Sequence, residues 1–140
     1  MAIPEFLQMV ACEETVRQTL LQVLLNQVQS LEKHQDESGM WHTLIDDPTS
    51  YVESSATCGF GYGILKAVHT GLIDPSWEAV AFKALDPMLN HIGDDGVVNQ
   101  VSYGTPMGRE SKDFYKNIEL RQMPYGQALA MLFLIECLNG

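Results

Sequence analysis

One pattern occurs twice along these 140 residues: a helical stretch, a turn that ends in glycine, a short strand-like run, and a further helix. In the first occurrence Val16, Leu20, Val23, Leu24, Gln27, Val28 and Leu31 form a stripe at three- and four-residue spacing within 13–34, the signature of an amphipathic helix. Ahead of it, residues 4–9 allow a short turn of helix. Asp36-Glu37-Ser38-Gly39 follows, with the Asp-first, Gly-fourth composition of a type I turn. Residues 40–45 read as a strand, 46–49 as a second turn, and 50–53 as the returning strand of a hairpin. A helix then starts at Ser54 or Ser55, residue types that cap well, and stops before Gly71.

In the second occurrence Asp74-Pro75 opens a helix carrying Val80, Leu85, Leu89 and Ile92, which Pro87 should kink. Residues 93–96 are the turn, 97–103 the strand, 104–123 a long loop, and 125–138 the last helix. Gly39 and Gly96 lie 57 residues apart, and Tyr62-Gly63 and Tyr125-Gly126 lie 63 apart. A unit of this length, repeated, predicts an array of helical hairpins. The expected class is all-α, with short β-hairpins at one end.

Two units rarely finish such an array, because each buries its face against neighbours. The chain is therefore expected to need a missing segment or another chain. Residues 128–135 are apolar on every side, which predicts a central helix. Gly59, Gly61 and Gly63 lie inside a predicted helix, where each costs about 1 kcal/mol against Ala. Close approach of another backbone would explain them.

Composition narrows the function. There are 18 Asp and Glu against 8 Lys and Arg, a formal charge of -10. Such a surface repels phosphate backbones and anionic membranes, so no nucleic-acid or membrane partner is expected. No apolar run reaches the roughly 20 residues that span a bilayer. The start, Met1-Ala2-Ile3-Pro4-Glu5, lacks the basic and apolar regions of a signal peptide. A cytoplasmic protein is expected. Cys12, Cys58 and Cys137 are odd in number and form no C-x-x-C pair, so structural thiols are expected rather than disulfides or zinc. Walker, Rossmann, nucleophile-elbow, calcium-loop and H-x-x-x-H patterns all fail. No metal and no cofactor are expected.

Two clusters carry chemistry. Trp41-His42 precedes Tyr51-x-Glu53-Ser54-Ser55-x-Thr57, and a hairpin would bring both to the same end of a bundle. Aromatic faces suit the C–H faces of sugars, and carboxylate or imidazole suits their hydroxyls. A structural reading competes: Trp41 as a core plug, Glu53 as a helix cap, His42 as a satisfied hairpin residue. The second cluster is Ser102-Tyr103-Gly104-Thr105-Pro106-Met107-Gly108 with Tyr125-Gly126-Gln127. Its place in the second unit matches that of the hairpin in the first, so both should face one mouth.

These clusters carry a family likeness. Residues 35–42, then Asp47-Pro48-x-Ser50-Tyr51-x-Glu53-x-Ser55-Ala56-Thr57, strongly resemble the unsaturated rhamnogalacturonyl hydrolases of glycoside hydrolase family 105, relatives of the unsaturated glucuronyl hydrolases. Residues 92–96, Ser102-x-Gly104-Thr105-Pro106-x-Gly108, Phe114-Tyr115 and 124–127 continue the match in register. The resemblance implies a ring of twelve helices, the (α/α)6 barrel, of which residues 1–140 would be one domain-sized C-terminal segment. It implies removal of a 4,5-unsaturated uronic acid from the end of a pectin-derived oligosaccharide. In that family one aspartate protonates the vinyl-ether double bond and activates water. That aspartate and a Trp-Gly-Arg-Gly-type motif belong to the N-terminal half, and neither occurs here. No catalytic residue is therefore assigned. The expected contribution is one wall of the sugar pocket: Trp41, His42, Tyr103, Thr105 and Tyr125. The implied partners are the oligosaccharide and either the missing half or a second copy in a homodimer. Exposing several hundred Å² of the last helix would cost on the order of 10 kcal/mol, which makes a lone monomer unexpected.

Overall fold

The computed structural model describes residues 1–108 and 110–139. Among these the secondary structure is helical: α1 (Ala2–Met9), α2 (Glu14–Lys33), α3 (Ser54–His69), α4 (Glu78–Phe82), α5 (Leu85–Asn90) and α6 (Pro124–Cys137), with 3-10 turns at Pro75–Trp77 and Lys112–Asn117. The short turn expected near residue 4 is a full eight-residue helix.

The centre is α3. Twelve of its sixteen residues are buried, and it touches α1, α4, α5 and α6. Its glycines make this possible. A Cβ at Gly61 would stand 2.5 Å from the Phe133 ring of α6, and one at Gly63 would collide with the backbone nitrogen of Met1. The backbone approach expected at these glycines is present at Gly63; Gly61 instead meets a side-chain ring, and Gly59 has only ordinary side-chain contacts. The central place expected for α6 is not found: it buries Gly126, Ala130, Phe133 and Glu136 against α3 and leaves Met131 and Ile135 more than half exposed. On α2 the stripe is buried at Leu24 and Val28, while Val16 and Val23 remain exposed.

The single kinked helix expected after Asp74 is three pieces. Pro87 has no N–H for the Lys83 carbonyl four residues earlier, and its ring crowds that carbonyl. The helix therefore breaks between Phe82 and Leu85. The Lys83 carbonyl lies where a side chain at Gly39 would be, and Gly39 has φ +93°. Glycine is required there for both conformation and space.

The expected hairpins reduce to isolated antiparallel bridges, His42 with Val52, Ile92 with Val98 and Ser102 with Leu120. Each bridge is held by one pair of backbone hydrogen bonds, and side chains or turns take neighbouring or outward-facing groups. Beside the first bridge, the Trp41 N–H donates to Thr57 Oγ1 at 3.1 Å, and the Asp47 N–H closes a turn on the Leu44 carbonyl. At the others, the Val98 N–H donates to Gln127 Oε1 and the Ser102 N–H to Glu53 Oε1. The helical ends thus replace a third strand.

Among the described residues no helix is long and apolar enough to cross a membrane.

Candidate functional site

Where the first turns of α3 and α6 meet the 102–105 loop, an open cleft of about 570 Å³ is lined by Thr43, Glu53, Ser55, Phe60, Ser102, Thr105, Tyr125 and Leu129, among others. It is a mixed surface of hydroxyls and aromatic or aliphatic faces.

Glu53 organises its floor. The backbone there is extended, and the side chain caps α3. Only 4% of the residue is exposed. The carboxylate accepts the Ala56 N–H at 2.5 Å, the Ser55 hydroxyl at 2.8 Å and, across the chain, the Ser102 N–H at 3.0 Å. A carboxylate at a helix N-terminus is favoured by the backbone N–H groups and the dipole. The cap is thus Glu53 rather than Ser54 or Ser55.

Ser102 is the other hub. Its hydroxyl pairs with the Tyr51 hydroxyl at 2.9 Å, and its carbonyl accepts the Tyr125 hydroxyl proton. The Tyr125 oxygen in turn accepts the Gly104 N–H at 3.2 Å. Three side chains, Tyr51 and Glu53 from the stretch before α3 and Tyr125 from α6, therefore hold one loop residue. The pattern Ser102-x-Gly104-Thr105 marked this loop, but nothing in the spacing marked Ser102 as its anchor.

The five residues expected to form the sugar wall divide. Thr105 and Tyr125 line the cleft together. Tyr103 is beside them in the chain but outside the lining, 54% exposed, with the Arg121 guanidinium 4.4 Å from its ring centroid. Trp41 offers no surface: it is fully buried, its indole N–H donates to the Leu31 carbonyl at 2.8 Å, and Phe60 meets it edge-on at 5.6 Å. His42 lies on another side. Its Nδ1 pairs with the Ser50 carbonyl at 2.5 Å and its Nε2 with Asp36 Oδ2 at 3.2 Å. The structural reading accounts for both residues in this chain. Hydrogen bonds from Ser38, side chain first, and then His42 hold the Asp36 carboxyl at about 2.

The loop carrying Thr105 is tied down from outside. Lys116 Nζ lies 2.8 Å from Asp47 Oδ2 and 3.2 Å from Asp113 Oδ1. The Lys116 hydrogen bond, ahead of those from Thr49, holds the Asp47 carboxyl well below the usual carboxylate range. Cys58 lies in the core beneath the cleft, its thiol pushed up to about 12 by burial and then by the Glu53 charge.

The cleft can bind a polar, partly apolar-faced molecule. Among the described lining residues Glu53 is the one carboxyl, and its oxygens are engaged by N–H and O–H donors. A proton donor for hydrolysis needs an available acid at the reacting atom.

Helices paired around a shared core, with the cleft at their N-terminal ends, make the architecture part of an (α/α)6 barrel. Residues 1–139 match the family model described as Glycosyl Hydrolase Family 88, and the chain belongs to that family. It is 34% identical over 119 residues to the unsaturated rhamnogalacturonyl hydrolase YesR of Bacillus subtilis, which covers 83% of this chain and 32% of YesR. A solved structure from Salmonella enterica, titled a possible member of the GH105 family, is 50% identical with a TM-score of 0.92, over 98% of this chain and 36% of that one. A Klebsiella pneumoniae structure with the same title is 47% identical with a TM-score of 0.93, over 99% and 37%. The chain thus spans about a third of the length of these relatives, and this fits their C-terminal portion.

Proposed function

We propose that this chain is the C-terminal segment of an unsaturated glucuronyl or rhamnogalacturonyl hydrolase, residues 1–140 forming one unit of its barrel. The observation that carries the reading is the identity with YesR, named for that activity. The substrate would be a pectin-type oligosaccharide ending in a 4,5-unsaturated uronic acid. Thr105 and Tyr125 would form part of the sugar wall, with Tyr103 at its edge. Glu53 and Ser102 would hold that wall in place, while Trp41 and His42 would support it from behind. Thr105 offers a hydroxyl to the sugar, and Tyr125 and Phe60 offer ring faces to its C–H groups. The aspartate that protonates the double bond would come from the part of the ring that precedes this segment.

A non-catalytic relative that at most binds sugar is the second reading, supported by the Glu53 carboxylate, whose oxygens are already engaged by N–H and O–H donors. The chain alone, incubated with an unsaturated uronyl disaccharide, should leave the absorbance of the C=C band unchanged. Turnover abolished by Glu53→Gln would overturn this reading and make Glu53 the acid. The same assay on the chain joined to the leading part of the ring separates enzyme from non-catalytic relative.

A further inference from the structure

At the end of α3 three helices meet on one imidazole. His69 is the last residue of α3. Its Nδ1 lies 2.8 Å from Glu136 Oε1 of α6, and its Nε2 lies 3.6 Å from Oε1 of Glu78, the first residue of α4. A carboxylate only accepts, so Nδ1 carries the proton of the Glu136 bond. Nε2 is buried and has no hydrogen-bond partner. Lys66 Nζ, one turn earlier on α3, stands 3.9 Å from Glu136 Oε2. Among the described residues no other charged side chain, from α1, α5 or the turn at 75–77, forms an ion pair with the ring or with Glu136. The two other titratable groups nearby are engaged or neutral. The Tyr62 hydroxyl donates to Glu5 of α1, and the Cys137 thiol is pushed up to about 11 by burial and then by the Glu136 charge.

With a neutral imidazole, this joint sets the charges of Glu136 and Glu78 against that of Lys66 alone; a second proton on the ring balances them. Burying a carboxylate is costly without a partner, and the Glu136 side chain is 6% exposed. Of the two forms of the ring, only the imidazolium has a donor for each carboxylate. We propose that His69 is a proton-gated latch: with both nitrogens protonated it bonds Glu136 and Glu78 together and pins the start of α4 to α3 and α6, and with one proton it keeps Glu136 and releases Glu78. Glu78 is the arm that can leave, because its side chain is 37% exposed and it begins a helix of only five residues. Histidine changes charge between about pH 5 and 8. The latched state binds the second proton more tightly than the open one, so the latch is closed at the acid end of that range and lost as pH rises. The joint sits at the ends of α3 and α6, whereas the cleft sits at their starts, so the proposal is independent of the sugar reading.

The test follows the ring and the stability of the full chain together as pH is varied. Proton–nitrogen spectra of the His69 ring, assigned by their loss in His69→Gln, should show both nitrogens protonated at the acid end and one at the alkaline end. In Glu78→Gln that transition should come about one pH unit lower, a tenfold loss of proton affinity, because one of the two carboxylates is gone. In urea unfolding, the folded-to-unfolded ratio of the unaltered chain should fall about tenfold between pH 5.5 and 8. Glu78→Gln should lose most of that slope and still fold, since its side chain reaches solvent. His34, His42 and His91 are present in both proteins, so the difference between the slopes belongs to His69. Glu32→Gln, which removes the same charge from an exposed position of α2, should leave ring and slope unchanged. A ring transition indifferent to Glu78→Gln overturns the proposal. So does a slope that Glu32→Gln flattens equally, or a His69 ring that carries a single proton throughout the range.

Discussion

The two units share a turn and part company at the helix that follows. Gly39 and Gly96 both have positive φ, 93° and 79°. Their N–H groups close on the carbonyls of residues 36 and 93 at 2.9 and 2.8 Å. Yet α3, which contains serines, threonine and three glycines, is buried almost all round, while α6, purely apolar from Ala128 to Ile135, lies half in water. Small residues let α3 be approached from several sides. The outer side of α6, with Met131 and Ile135, is exposed. Burial therefore follows the neighbours and the room left for them, not hydrophobicity alone.

The sharpest test of that contrast lies within α6. Phe133→Ala should cost about 3–5 kcal/mol by chemical denaturation, because the ring fills the space above Gly61. Ile135→Ala, on the exposed side, should cost less than about 0.5 kcal/mol in this chain. Comparable losses would break the comparison and show the outer stripe covered in solution.

A smaller effect separates the helix starts. Glu53 caps α3 and holds the Ser102 N–H, whereas Met123 precedes α6 without a side-chain cap. Glu53→Ala should therefore destabilise by about 2 kcal/mol, leaving buried N–H groups without their acceptor. Met123→Ser should instead stabilise by about 0.5–1 kcal/mol in the same measurement. A neutral Glu53→Ala would show that the cap holds neither helix nor loop.

The smallest effect is in the first turn, and it depends on pH. Asp36 stands at about 2 in the folded chain against an ordinary 3.8. A lowered folded value means that the unfolded chain binds the proton more readily. The stability from Asp36 is therefore full above about pH 4 and is lost as pH falls toward 2. Asp36→Asn should cost about 1 kcal/mol near neutrality, from the Ser38 bond, and should flatten the melting-temperature profile between pH 4 and 2. An unchanged slope would remove Asp36 from the acid response.

Much of the helical layout was legible because its signals are local. The α2 spacing, the glycine turns and the Asp74-Pro75 start were all read from neighbouring residues. The family likeness rested on ordered motifs such as Ser102-x-Gly104-Thr105. The residues at 40–45 and 97–103 mark extended runs but not the partners that would make them strands. Thr57, Glu53 and Gln127 claim backbone groups that a strand would have used.

By itself the sequence determined where helices can form, where the chain must turn, and which residues carry the family pattern, since these follow from propensity, φ restriction and residue order. Tertiary structure alone decided that Trp41 is core, that Thr105 and Tyr125 share a cleft, and that α3 rather than α6 is central. Those outcomes depend on which distant surfaces meet, as Phe133 meets Gly61 and Ser102 meets Glu53, and no local pattern encodes the partner.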